Sequence, residues 1–234
     1  MVEWSIISIE KGKDYKVSKV FKVIKEEKKT KLEFIMSEAL VPHRGNYKKL
    51  LSYQKSDVIF QLTYYFCHNY LQKGDRTVDQ MVQAARSGKQ NIVEGCMASA
   101  TSAKTEIKLL NVEKASLQEL LEDYEDYLKT RGHRQWEEGT VELETMRRIG
   151  KEHNDGEYFM QLAQSRPPET IANMVIVLLK QADYLLHRQI QRLSDDFVQD
   201  GGFSERMTRI RKNYRENSVS KVSKDFKVSK DPKK

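Results

Sequence analysis

The sequence predicts an all-α fold: long helices through the body, a C-terminal helical extension and flexible basic tails. Three observations point there. Chain breakers are scarce, 4 Pro and 11 Gly in 234 residues, while 32% of residues are charged. That balance favours long exposed helices over a many-turned β fold. Apolar residues recur at spacings of three and four through most of the body. Capping residues also stand where those periodic runs begin.

The first helix is expected over about 50–71, where Leu51, Val58, Ile59, Leu62, Tyr65 and Phe66 share a stripe, and Gly74 is expected to stop it. The second is expected to start at Thr77, because Thr77-Val-Asp-Gln80 reads as a capping box. Val78, Met81, Ala85, Gly88 and Ile92 then form a heptad seam whose middle is made of small side chains. Gly88 therefore reads as a close-packing position inside a helix, and Gly95 as that helix's stop. Thr101 or Ser102 caps a third helix that runs to about Lys129 on Ile107, Leu110, Leu117, Leu121, Tyr124 and Leu128. Lys114 falls on that seam and must snorkel or pair. The acids Glu119, Glu122, Asp123, Glu125 and Asp126 read as a solvated or intersubunit charged face rather than a catalytic or Mg²⁺ cluster.

The polar stretch 130–164 predicts one or two short helices. Arg166-Pro-Pro-Glu-Thr170 opens a long fourth helix over about 169–199, roughly 46 Å at the usual rise. Its first half, "IANMVIVLLKQADYLL", is apolar on nearly every side, which predicts burial all round. A four-helix bundle seldom buries one helix so fully, so this stretch is expected to be an oligomer contact. A short basic helix capped by Ser204 should follow "DGGF". The longest apolar stretch, 174–179, is far short of the roughly 20 residues that a bilayer span needs, so no membrane partner is expected. Two cysteines, Cys67 and Cys96, and no signal-like leader fit a cytoplasmic protein.

The net charge of +7 sits at the ends. Residues 11–31 carry +6 and 205–234 carry +7, whereas the body, 32–204, carries −4. "KVSKVFKVIK" (16–25) matches "KVSKDFKVSK" (221–230) at eight of ten positions, with lysine at every third residue. A period of three matches neither helix nor strand and would align lysines on a polyproline II segment. Two readings stand: solubilising low-complexity tails, or cationic arms that attract phosphates. Under the second, RNA or DNA would be met by Lys13, Lys16, Lys19, Lys22, Arg206, Arg209, Arg211, Lys212, Lys221 and Lys224.

Ser87, then Asn91-Ile-Val-Glu-Gly95, then Ala115-Ser-Leu-x-Glu-Leu120 resembles the signature of the bacterial four-helix-bundle family of 23S rRNA intervening-sequence proteins. That signature ends one helix on Ser-x-x-x-Asn-Ile-Ala-Glu-Gly and continues in the next with Gly/Ala-Ser-Leu-x-Glu-Leu. Here Lys89 replaces the usual proline and Val93 the alanine. Stretches such as "RPPETIAN" and "YLLHRQIQRLSDDF" are similar to the longer variant with a four-helix-bundle suffix domain. The resemblance covers about 41–215, leaving both tails outside. It implies an up-down antiparallel four-helix bundle that assembles as a homo-oligomer, commonly a pentamer, without known catalytic residues. Ser87, Asn91, Ile92, Glu94, Gly95, Ser116, Leu117 and Glu119 then carry architecture. Genes of this family lie within rRNA intervening sequences in some bacteria, and a related accessory protein of diversity-generating retroelements binds nucleic acid and a reverse transcriptase.

Enzyme signals are few. Arg148 and His153 have the Arg-x4-His spacing of HEPN-type ribonucleases, in which arginine holds the scissile phosphate and histidine moves the proton. With 14 Arg and 5 His, about one such spacing arises by chance, and Ile149 stands where a polar residue is usual. Cys67-His68 has no second cluster at metal-ligand spacing. No Walker loop or dinucleotide fingerprint occurs, and neither metal nor cofactor is expected. The expected organisation is a basic N-terminal extension (1–40), three bundle helices (41–131), a suffix region with the long fourth helix and the basic helix (132–215), and a disordered Lys-rich tail (216–234). The expected function is a non-enzymatic oligomeric scaffold associated with RNA or DNA. The alternatives are an accessory factor of a retroelement-type reverse transcriptase and a HEPN-like ribonuclease.

Overall fold

The long helices form where the apolar spacing puts them, and two short ones fill the polar stretch before the last. A computed structural model describes residues 46–228; these contain no strand. After a 3-10 turn at Tyr47–Lys49 come α1 (Leu51–Tyr70), α2 (Arg76–Ala98), α3 (Ala103–Thr130), α4 (Val141–Glu152), α5 (Gly156–Gln164), α6 (Pro168–Asp200) and α7 (Phe203–Val228). Lys13, Lys16, Lys19 and Lys22, with the expected N-terminal extension, lie outside the described residues. His43–Thr208 makes one compact unit, and the later part of α7 belongs to a second. No helix among the described residues is long and apolar enough to cross a membrane.

Local chemistry accounts for most boundaries. The α2 cap is Asp75, not Thr77: its carboxylate accepts from the Thr77 amide at 2.9 Å. An aspartate two residues earlier satisfies an orphan donor and adds a negative charge at the positive end of the helix. Ser102 caps α3 by accepting from the Thr105 amide at 3.1 Å. Pro168 opens α6, where its missing N–H costs nothing. Gly201, at φ 73°, closes it. α7 begins at Phe203, so Ser204 lies inside it.

Gly95 does not stop α2. The helix continues to Ala98 because Gly95 is buried against the next helix, and an added Cβ would meet the Glu106 carbonyl oxygen at 3.6 Å and Leu109 Cβ at 3.7 Å. Asn91 is consequently well inside the helix. Gly88 is the tighter approach: a Cβ there would sit 2.8 Å from Leu117 Cδ2.

In His43–Thr208, α2 packs on α1 and α3, and α6 packs on α1 and α3. The core lies among these four, built on Ile59, Leu62, Phe66, Ile92, Leu110, Leu120 and Tyr124. α4 packs on α6, and α5 packs on α1.

This arrangement overturns one inference from the sequence. The nine residues Ile171 to Leu179 are all buried within the single chain. α1, α3 and α4 cover them, so no second subunit is needed to explain their apolarity. The connector before α4 is pinned to the same helix. Buried Asn173 accepts from the Trp136 amide at 2.8 Å and donates to the Arg134 carbonyl at 2.9 Å.

The stripe expected for α1 is only partly apolar. Leu51 is exposed, while Ser52, Lys55, Ser56 and Thr63 are buried. Each has a partner on another segment. Ser52 donates to Gln189 Oε1 at 2.7 Å, Ser56 to Glu113 Oε1 at 2.9 Å, and Thr63 accepts from the Tyr124 hydroxyl at 3.2 Å. Buried polar groups need such partners, and these tie α1 to both α3 and α6.

Candidate functional site

Three places hold the chemistry to be weighed: the shared face of α2 and α3, the basic helix α7, and a cleft beside Lys55. The first contains the signature residues. Ser116 Oγ donates to Ser87 Oγ at 3.4 Å, and Asn91 Nδ2 donates to the same oxygen at 3.3 Å. Ile92, Gly95 and Leu117 are buried, whereas Glu94 and Glu119 are exposed. The buried and hydrogen-bonded members join two helices.

Beside them Glu113 is fully buried, with one oxygen held by Ser56 and the other, Oε2, without a partner. Burial pushes its carboxyl well above the usual range, against the smaller effect of the Ser56 hydrogen bond. Above the pKa of an unfolded carboxyl, the unfolded chain releases this proton while the folded chain keeps it, so the group costs stability as pH rises. Glu113→Gln cannot ionise. Its stability relative to the natural chain should grow between pH 4 and pH 7, the span in which an unfolded carboxyl ionises. Parallel denaturation midpoints across that span would exclude the effect.

On α7, Arg209, Arg211, Lys212 and Arg215 are exposed, and Arg206 is half-buried with its Nε enclosed and unpartnered. The helix continues to Val228, so Lys221 and Lys224 stand on helical backbone, not on the extended segment that a period of three suggests. The expected disordered tail thus begins with helix. Lys114, on α3, resolves its place on the seam by pairing with Asp183 at 3.2 Å.

Arg148 and His153 are not brought together. Arg148 is exposed on α4, while His153 follows the helix end, with its ring stacked 3.9 Å from that of Tyr158. No hydrogen bond or ion pair joins the two among the described residues. Cys67 is buried beside Met81, Sγ to Sδ 3.8 Å, and burial pushes its thiol up to about 12. His68 faces outward, Nδ1 2.8 Å from the Tyr64 carbonyl oxygen.

The cleft is the feature that sequence reading missed. A cavity of about 800 Å³ opens at α1, α4 and α6. Lys55 lines it yet is only 1% exposed. Its ammonium donates to the carbonyls of Gly150 and His153, the latter at 3.2 Å. These lie at the C-terminal end of α4, where the helix dipole favours a cation. Burial lowers the Lys55 pKa to about 8. Gly150 allows close docking of α4 on α6, since a Cβ there would collide with the Gln181 amide. Gln181 Nε2 donates to the Arg147 carbonyl at 2.9 Å, but Oε1 is buried without a partner. At the rim, Arg147 engages both Glu138 and Glu144, the latter at 2.8 Å. The available signal was a lysine at position 55 between apolar residues 51, 58 and 59, the same pattern that marks Lys114.

No protein-family model matches this chain, and no curated protein or solved structure is significantly similar to it.

Proposed function

We propose that this chain is a non-enzymatic, homo-oligomeric helical-bundle scaffold of the 23S rRNA intervening-sequence type that engages RNA or DNA phosphates through α7. In this reading α1, α2, α3 and α6 run up-down and antiparallel, and the suffix region 132–215 holds α4, α5, α6 and the start of α7. The observation that carries the nucleic-acid part is charge segregation. Arg209, Arg211, Lys212 and Arg215 stand exposed on one helix, while residues 32–204 carry −4. A slightly acidic body with one cationic helix meets a polyanion at that helix. Self-assembly rests on the resemblance alone, because the apolar half of α6 is consumed within the chain.

Binding should therefore be strongly salt-dependent. Replacing Arg209, Arg211, Lys212 and Arg215 with alanine should weaken binding to duplex DNA or RNA. It should flatten the log–log salt slope by about 3 to 4, near one unit per lost phosphate contact. Fluorescence anisotropy across a salt series measures both, and an unchanged slope would remove the electrostatic argument. Light scattering addresses assembly: a 27.4 kDa monomer at micromolar concentration would refute the oligomer.

A further inference from the structure

The cleft beside Lys55 holds two unmet demands. A buried ammonium has three protons, and Lys55 uses two of them on the carbonyls of Gly150 and His153. Those carbonyls, and the face of the buried Phe159 ring 5.8 Å from the ammonium, supply partial charge only. No carboxylate among the described residues pairs with Lys55, and desolvation is the sole cause that lowers its pKa. The nearby acids Glu138 and Glu144 are occupied by Arg147. A buried cation without a counter-anion is costly, and a cavity lies open beside this one. The second demand is Gln181 Oε1, a buried acceptor with no donor. It lies over Gly150, whose carbonyl already meets Lys55, so the two demands are neighbours. The surrounding wall mixes charged and polar side chains, Lys151, Asn154 and Lys180 among them, with the apolar Trp136, Ile176 and Val177.

We propose that this cleft binds a small α-hydroxy carboxylate with an aromatic or branched apolar body. The carboxylate accepts the third proton of Lys55, the hydroxyl donates to Gln181 Oε1, and the body lies against Trp136, Ile176 and Val177. An α-hydroxy acid fits better than an α-amino acid, because a ligand ammonium would stand next to the Lys55 ammonium. The site is independent of the α7 reading and requires no nucleic acid.

Isothermal titration of the full chain with 3-phenyllactate tests this. Saturable binding is expected, weakened at least about tenfold for the neutral amide of the same acid and for Lys55→Met, since each removes a hydrogen bond to a charged group. 3-Phenylpropionate, which lacks the hydroxyl, should bind more weakly than 3-phenyllactate. Absence of saturable binding overturns the proposal. So does equal affinity for the acid and its amide, or a folded Lys55→Met protein that binds as well as the natural chain. If Lys55→Met does not fold, the comparison of acid with amide on the natural chain decides.

Discussion

Gly88→Leu is expected to destroy cooperative folding of the helical unit. A Cβ alone at this position would stand 2.8 Å from Leu117 Cδ2 and 3.3 Å from Leu117 Cγ. Leu117 is buried, and Glu113 Cγ closes the same space at 4.0 Å from that Cβ. Three further carbons have nowhere to go without separating α2 from α3. Overpacking of this kind costs about 3 kcal/mol or more, a large part of the stability of a typical domain. Gly95→Ala is the matched control. It too lies inside α2 against α3, but its Cβ would make only ordinary contacts at 3.6–3.7 Å. There the gain in helix propensity, up to about 1 kcal/mol, should dominate and stabilise the protein. Urea denaturation reads both. A Gly88→Leu protein with an unchanged midpoint would show that the close approach of α2 and α3 has no energetic weight.

The second large effect is a pH dependence set by Lys55. Its folded pKa is about 8, against an ordinary value of 10.5. Between these values the unfolded chain binds a proton that the folded chain has released. Stability therefore rises with pH across that window, by about 3 kcal/mol in total from this group. Below pH 8 the burial cost is fully present. Cys67 acts with the opposite sign, because its thiol stays protonated to about 12 when folded and ionises near 9 when unfolded. The two are separated by comparing the natural chain with Lys55→Met, both carrying Cys67→Ala. The stability difference between them should change by about 3 kcal/mol from pH 8 to pH 10.5 in chemical denaturation. A constant difference would mean that Lys55 is not held in a low-dielectric setting.

These predictions draw on different kinds of information. Gly88 was legible because a heptad seam passes through it, and a glycine on a seam has few uses other than close approach. Gly95 was misread on the same logic: a glycine near a periodic run's end resembles a stop, and nothing local distinguishes a cap from a second close contact. Lys55 sat in plain view as a lysine among apolar positions. Its burial depends on Gly150, 95 residues away, which no window of periodicity contains.

What the sequence determined by itself is the all-helical class, the placement of the long helices to within a few residues, and the segregation of charge toward the ends. These follow from local rules, since capping, breakers and 3.6-residue periodicity act within one or two turns. The burial of α6 by its own chain, through α1, α3 and α4, comes from long-range packing. The same packing decided that α1 carries a polar seam, and that α4 ends over a buried ammonium beside an open cleft. Each depends on which distant segments supply the partner, and a buried polar group is satisfied or left wanting by those neighbours, not by its place in the sequence.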